Sequence, residues 1–240
     1  MIRTLLALIY VVLYLVVGLP VLGILTLYRK KNKQKAEAVA TKIVRWGFNC
    51  VAAISGARVN AIGLENIPED VPVAYIGNHR SIFDVILSFK YTKGVTGYIA
   101  KDNLKKVPIL PMWMEFIHCL FLDRKNPRDG LRVVISAIDN IKSGVSVFVF
   151  PEGTRSKDGS VGEFKEGTFK IATKTKCPII PVAISGTENI FEKHVPFIKA
   201  CDVTMHFGKP IMPDDIVDSK KVGAQVREAI VTMLEEDSKE

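Results

Sequence analysis

Val145-Ser146-Val147-Phe148-Val149-Phe150 runs straight into Pro151-Glu152-Gly153-Thr154-Arg155-Ser156. A short apolar run closed by proline and glycine reads as a buried strand whose carboxyl end opens into a polar loop. The residues before it read as a helix. Asn126 can cap it, Pro127 fits the first helical position, Leu131, Val134, Ile135, Ile138 and Ile141 mark one apolar face, and Gly144 suits the stop. A helix feeding a strand that ends in polar groups is the repeating unit of an α/β fold, where ligands sit outside the carboxyl ends of the strands.

The same alternation extends both ways along the chain. Further strands are expected near Arg58–Gly63, Val71–Ile76, Gly97–Ala100, Cys119–Leu122, Ile179–Ile184 and Asp202–Phe207. A closing helix from Val222 to Leu234, with Val222, Val226, Ile230 and Leu234 in helical spacing, is expected to cover the sheet. Residues 58–240 therefore form one α/β domain. Ahead of it, Ala36–Ser55 reads as a helix with Val39, Ile43, Trp46 and Cys50 on one face, which packs on the core or lies in a membrane interface.

The 23 residues from Leu5 to Leu27 carry no charge, enough to cross a hydrocarbon core roughly 30 Å thick. A cleaved signal peptide would have an apolar stretch of only about 7–15 residues and a small-residue cleavage site. Here the stretch runs instead into Arg29, Lys30, Lys31, Lys33 and Lys35. That basic cluster places the following chain on the cytoplasmic side of the cell membrane. Gly18, Pro20 and Gly23 interrupt the apolar stretch and favour a kinked or re-entrant helix. Residues 1–57 are thus read as a membrane-anchoring helical segment with a basic linker.

A net charge of +8, a pI near 9.3 and a mean hydropathy of +0.20 suit an anionic partner and a lipid surface. The basic residues are scattered and form no recognition motif, which argues against nucleic acid. Four cysteines, Cys50, Cys119, Cys177 and Cys201, form neither a C-x-x-C pair nor a zinc spacing and read as reduced thiols; no metal site is expected.

Three stretches carry candidate chemistry. In Asn78-His79-Arg80-Ser81-Ile82-Phe83-Asp84, Ser81 and Asp84 match a helix capping box. Positions five apart on one helix diverge by about 140°, so His79 can meet Asp84 only from the turn before the helix, where the cap would place it. Asp84 would then fix the imidazole tautomer and leave the other ring nitrogen to take a proton from a hydroxyl. In Phe150–Ser156, Gly153 permits a bend, Thr154 offers a hydroxyl and Arg155 a planar fork suited to phosphate; a solvated surface turn is the competing reading. Leu120-Phe121-Leu122-Asp123-Arg124, with Lys101, Lys105 and Lys106 upstream, is either a basic rim or an ordinary solvated face.

Taken together and in this order, the motifs resemble those of the 1-acylglycerol-3-phosphate acyltransferases over about residues 60–210. Asn78, His79 and Asp84 match N-H-x-x-x-x-D, and Phe150 to Ser156 match F-P-E-G-T-R-S in full. Phe121 to Arg124 match the family's aromatic-apolar-D-R strand end, with His118-Cys119 where a glycine commonly stands, and Ile180-Pro181-Val182 match its apolar-proline pair. Ala100 to Leu104 resemble A-K-x-E-L with Asn103 in place of the acid, and Glu163 to Gly167 resemble the F-K-x-G that follows the third motif.

The resemblance implies a mixed, largely parallel sheet flanked by helices. It also implies transfer of a fatty acyl group from a coenzyme A or acyl carrier protein thioester to the sn-2 hydroxyl of lysophosphatidic acid, with no further cofactor. Glycerol 3-phosphate or another lysophospholipid would fit the same motifs. On this reading His79 and Asp84 are catalytic, Gly153, Thr154 and Arg155 hold the acceptor phosphate, Arg124 and Lys101 add positive charge, and Glu152 orients the loop. A covalent route through Cys119 and His118 is disfavoured, because neighbours on a strand point to opposite faces.

Overall fold

The computed structural model describes residues 1–213 and 218–238. Seven strands form one sheet: β1 (Arg58–Ile62), β2 (Ala74–Gly77), β3 (Thr96–Lys101), β4 (Leu120–Leu122), β5 (Ser146–Val149), β6 (Ile179–Ser185) and β7 (Asp202–Phe207). Their order is β1-β7-β6-β2-β5-β3-β4. Every pairing is parallel except β6 with β7, so the sheet is mixed and largely parallel, as expected. The strand ends shift by a few residues from the sequence reading, most at β2, which begins at Ala74 rather than Val71.

The central strands are apolar on both sides because helices cover both faces of the sheet. On one face the register Tyr75↔Phe148↔Tyr98 lines up three rings that stack at 5.6 and 4.9 Å. The opposite face presents Ile76, Val147, Val149 and Ile179 to α5 (Pro127–Lys142), α6 (Lys170–Thr175) and α7 (Ser219–Asp237). Helix α5 departs from its predicted face: Val133, Ala137 and Ile141 are buried, whereas Leu131 and Ile135 are exposed. Gly97 is required where β3 passes the start of β4, since a Cβ there would lie 2.2 Å from the His118 carbonyl oxygen.

The N-terminal residues form a helical hairpin, α1 (Ile2–Lys31) and α2 (Lys33–Ser55), broken at the extended Asn32, whose side chain accepts from Lys35 N at 3.0 Å. Helix α1 continues through Gly18, Pro20 and Gly23, so those residues do not divide it. The two helices run antiparallel: Arg3 donates to the Ile54 carbonyl at 3.1 Å, Tyr14 to that of Ile43 at 3.2 Å, and Arg29 to Glu37 at 3.0 Å. Gly47 makes room for the Tyr14 ring.

Of the two placements open to the Val39–Trp46 face of α2, packing on the core is not the one adopted. Ala36, Ala40, Val44 and Gly47 point inward, while Val39 and Trp46 are 42% and 59% exposed. Small residues win the inner face because they let the helices approach closely. The hairpin also shares the domain's core rather than standing apart from it. Helix α1 touches the domain along its length, accepting from Ile198 N at Thr4 (2.8 Å), packing Gly18 on Trp113 of α4 (Leu110–Phe116) and placing Arg29 3.5 Å from Glu115 of the same helix. Its outer face remains apolar and open, including Leu5, Leu8, Val12, Val16 and Ile24. By length and composition α1 is able to cross a membrane.

Candidate active site

Strand β2 delivers the site. Just past its end, the Asn78 side chain acts as an extra strand position, donating to Ile184 O and accepting from Ile184 N, both at 2.8 Å. The chain then leaves the sheet, and His79 Nδ1 lies 2.7 Å from Asp84 Oδ2. Asp84 is fully buried, and the same oxygen accepts the backbone N–H of Arg80 at 2.6 Å and of Ser81 at 2.8 Å. Its other oxygen accepts from the Thr187 hydroxyl at 2.5 Å.

Helix α3 (Phe83–Ser88) starts later than the cap reading placed it, and the cap forms in a shifted version: Ser81 Oγ accepts Phe83 N at 3.0 Å rather than Asp84 N, while Asp84 takes Ser81 N. The cap therefore builds the turn that brings His79 onto Asp84. The ring of His79 stacks on Phe150 at 4.2 Å, so its plane is held from two sides. With Nδ1 committed to Asp84, Nε2 is the nitrogen left for chemistry.

His79 lines a cavity of about 320 Å³. Ile99, Leu122, Val134 and Phe150 make its walls apolar, and Arg124 and Lys165 make one part of it basic. Burial, and then the nearby Arg155 charge, lower the pKa of Arg124. An anion bound there would relieve both effects.

The motif loop does not form the single cradle expected of it. Gly153, at φ +70°, turns the chain so that it lines the His79 cavity, while Thr154 and Arg155 line a neighbouring one of about 530 Å³ with Arg80, Lys157 and Glu188. Glu152 holds the loop rather than facing either cavity: its two oxygens accept from His79 N at 2.8 Å and Gly162 N at 2.9 Å, clamping the His79 turn to the loop. Lys101 is placed differently. It is exposed at the end of β3 and lines neither of these cavities, whereas Lys165, packed over Gly153, does.

Thr187 and Glu192 were invisible to sequence reasoning because they reach the site from 103 and 111 residues away. Lys165 was signalled only through the F-K-x-G stretch. The Cys119 route gains no support: burial pushes its thiol up to about 12, away from thiolate, and His118 Nε2 lies 3.0 Å from Glu37 Oε2. Replacing Cys119 by alanine is expected to leave turnover within about twofold of wild type, since a buried neutral thiol is not a nucleophile; steady-state rates would check it.

A buried carboxylate-imidazole pair facing an apolar cavity with a basic edge, at the carboxyl ends of a largely parallel sheet, has the parts of an acyl-transfer site. Residues 58–185 match the model of the Acyltransferase family. The chain is 30% identical over 185 residues to the 1-acyl-sn-glycerol-3-phosphate acyltransferase of Borreliella burgdorferi, covering 76% of this chain and 74% of that one. It is 31% identical over 182 residues to the chloroplastic enzyme LPAT1 of Arabidopsis thaliana, covering 75% of this chain. It spans only about half the length of that plant relative, 49%.

Among solved structures, the crystal structure of the 1-acyl-sn-glycerophosphate (LPA) acyltransferase PlsC from Thermotoga maritima superposes with a TM-score of 0.85 at 28% identity, covering 99% of this chain and 95% of the other. The chain belongs to the 1-acylglycerol-3-phosphate acyltransferase family.

Proposed function

We propose that this protein transfers a fatty acyl group from a thioester to the sn-2 hydroxyl of 1-acylglycerol 3-phosphate, giving phosphatidic acid. The observation that carries this is the His79–Asp84 contact of 2.7 Å at the wall of a cavity that is both apolar and basic. The acceptor hydroxyl gives its proton to His79 Nε2 as its oxygen attacks the thioester carbonyl carbon. The carbon–sulfur bond then breaks, and the thiolate leaves with the proton from His79. The attacking group comes from the acceptor and the base from the protein, so no cofactor is required beyond the thioester of coenzyme A or acyl carrier protein.

The apolar walls suit an acyl chain, and Arg124 and Lys165, with Arg155 reaching across from the neighbouring cavity, suit the phosphate. Helix α1 contacts the domain near Thr4, Gly18 and Arg29, which favours a hairpin lying along the cytoplasmic face of the membrane over a perpendicular crossing. This brings a lipid acceptor to the site without leaving the surface.

Assay of the purified chain with lysophosphatidic acid, glycerol 3-phosphate and other lysophospholipids tests the acceptor, and parallel donors test the carrier. Absence of phosphatidic acid with either thioester would refute the assignment. For Arg155→Ala the acceptor KM is expected to rise roughly 10- to 100-fold, the worth of a charge-assisted hydrogen bond. An unchanged KM would remove Arg155 from phosphate binding.

A further inference from the structure

We infer that Glu192 is a positioning residue, which fixes the Arg155 guanidinium for the acceptor phosphate and ties it to the turn that carries His79. The inference rests on the phosphate reading of Arg155 given above. Glu192 lies in the connection between β6 and β7, and its side chain is 20% exposed. Its carboxylate joins three donors. Oε1 accepts from Arg155 Nη1 at 2.6 Å and from Ile82 N at 2.9 Å, and Oε2 accepts from Ser81 Oγ at 2.5 Å.

Two of those donors, Ser81 and Ile82, stand between His79 and α3, so the carboxylate that holds Arg155 is anchored on the catalytic turn itself. Their bonds keep Glu192 in place whatever Arg155 does. Arg155 is engaged only through Nη1, and the edge formed by Nη2 and Nε carries no other bond among the described residues. That edge is the geometry a phosphate accepts in bidentate fashion. Glu192 therefore orients the fork without occupying the part that would bind. Arg155 is close enough to Arg124 for their charges to interact, and left alone the two guanidinium groups would repel. A fixed carboxylate offsets that repulsion and keeps Arg155 beside the site.

The alternative, a carboxylate that sequesters Arg155 from substrate, predicts the opposite sign, which makes the experiment decisive. Acceptor KM and kcat are measured with lysophosphatidic acid in mixed micelles for the full chain, Glu192→Ala, Glu192→Gln, Arg155→Ala and the Glu192→Ala/Arg155→Ala double variant. Glu192→Ala is expected to raise the acceptor KM about tenfold with kcat within about threefold, and the double variant to be no worse than Arg155→Ala, as for groups acting through one interaction. Glu192→Gln, which keeps an acceptor oxygen for Ile82 N and turns an amide N–H toward Ser81 Oγ but loses the charge, should raise KM by less; it carries the test if the alanine variant unfolds. A lowered or unchanged KM in both Glu192 variants, or effects that multiply in the double variant, would overturn the inference. An unchanged KM in Arg155→Ala would instead overturn the phosphate reading beneath it.

Discussion

Replacing His79 by alanine is expected to lower kcat by about 10²–10⁴-fold, the usual worth of a positioned general base, while the acceptor KM changes little. The separation follows from the layout. His79 meets the protein through Asp84, Phe150 and the Glu152 clamp on its backbone, none of which depends on the Nε2 lone pair. Removing the imidazole takes away proton transfer and leaves Arg124, Lys165 and Arg155 to bind. Initial rates against acceptor concentration would check it, and near wild-type turnover would mean that His79 is not the base.

Asp84→Ala is expected to be as damaging to kcat and, unlike His79→Ala, to be destabilising. The carboxylate is fully buried and satisfies two backbone N–H groups and the Thr187 hydroxyl besides the imidazole. Deleting it strands those donors, and removing one member of a buried polar network costs about 3–5 kcal/mol. For a chain of this size that lowers Tm by roughly 10 °C. The double variant His79→Ala/Asp84→Ala should lose no more kcat than either single one, because the two residues act as a unit, but should keep the full Tm loss. Thermal melts beside rate measurements separate the two roles. A Tm equal to wild type in Asp84→Ala would contradict the network.

Much of the fold was legible because each element announced itself locally. The apolar run Val145–Phe150 could only be a buried strand between a helix stop at Gly144 and the break at Pro151. The pairing of His79 with Asp84 was legible in the same way, since Ser81 and Asp84 carry a capping signal and the cap dictates where His79 must lie. Helix faces were read less well. On α2 the sequence left the face of Val39 and Trp46 open between the core and a membrane interface, and packing took Ala36, Ala40, Val44 and Gly47 instead. Apolar character marks a core face only where water is the alternative, and this hairpin leaves its larger apolar residues outward, as a lipid-facing surface would.

The motif loop shows the same limit. Glu152, Gly153, Thr154 and Arg155 are neighbours in sequence, and nothing local reveals that the positive φ of Gly153 sends them to different tasks. Glu152 turns back to hold His79, and Thr154 and Arg155 pass into the next cavity.

Legible from the chain alone were the α/β alternation, the apolar N-terminal helix, and a histidine set by its helix cap against an acid, because these rest on periodicity and on contacts within a few residues. That the N-terminal hairpin joins the core, that Lys165 rather than Lys101 edges the cavity, and that Thr187 and Glu192 complete the site emerges only from the folded arrangement. Those contacts join residues far apart in the chain, and no local propensity encodes where a crossing of strands will place them.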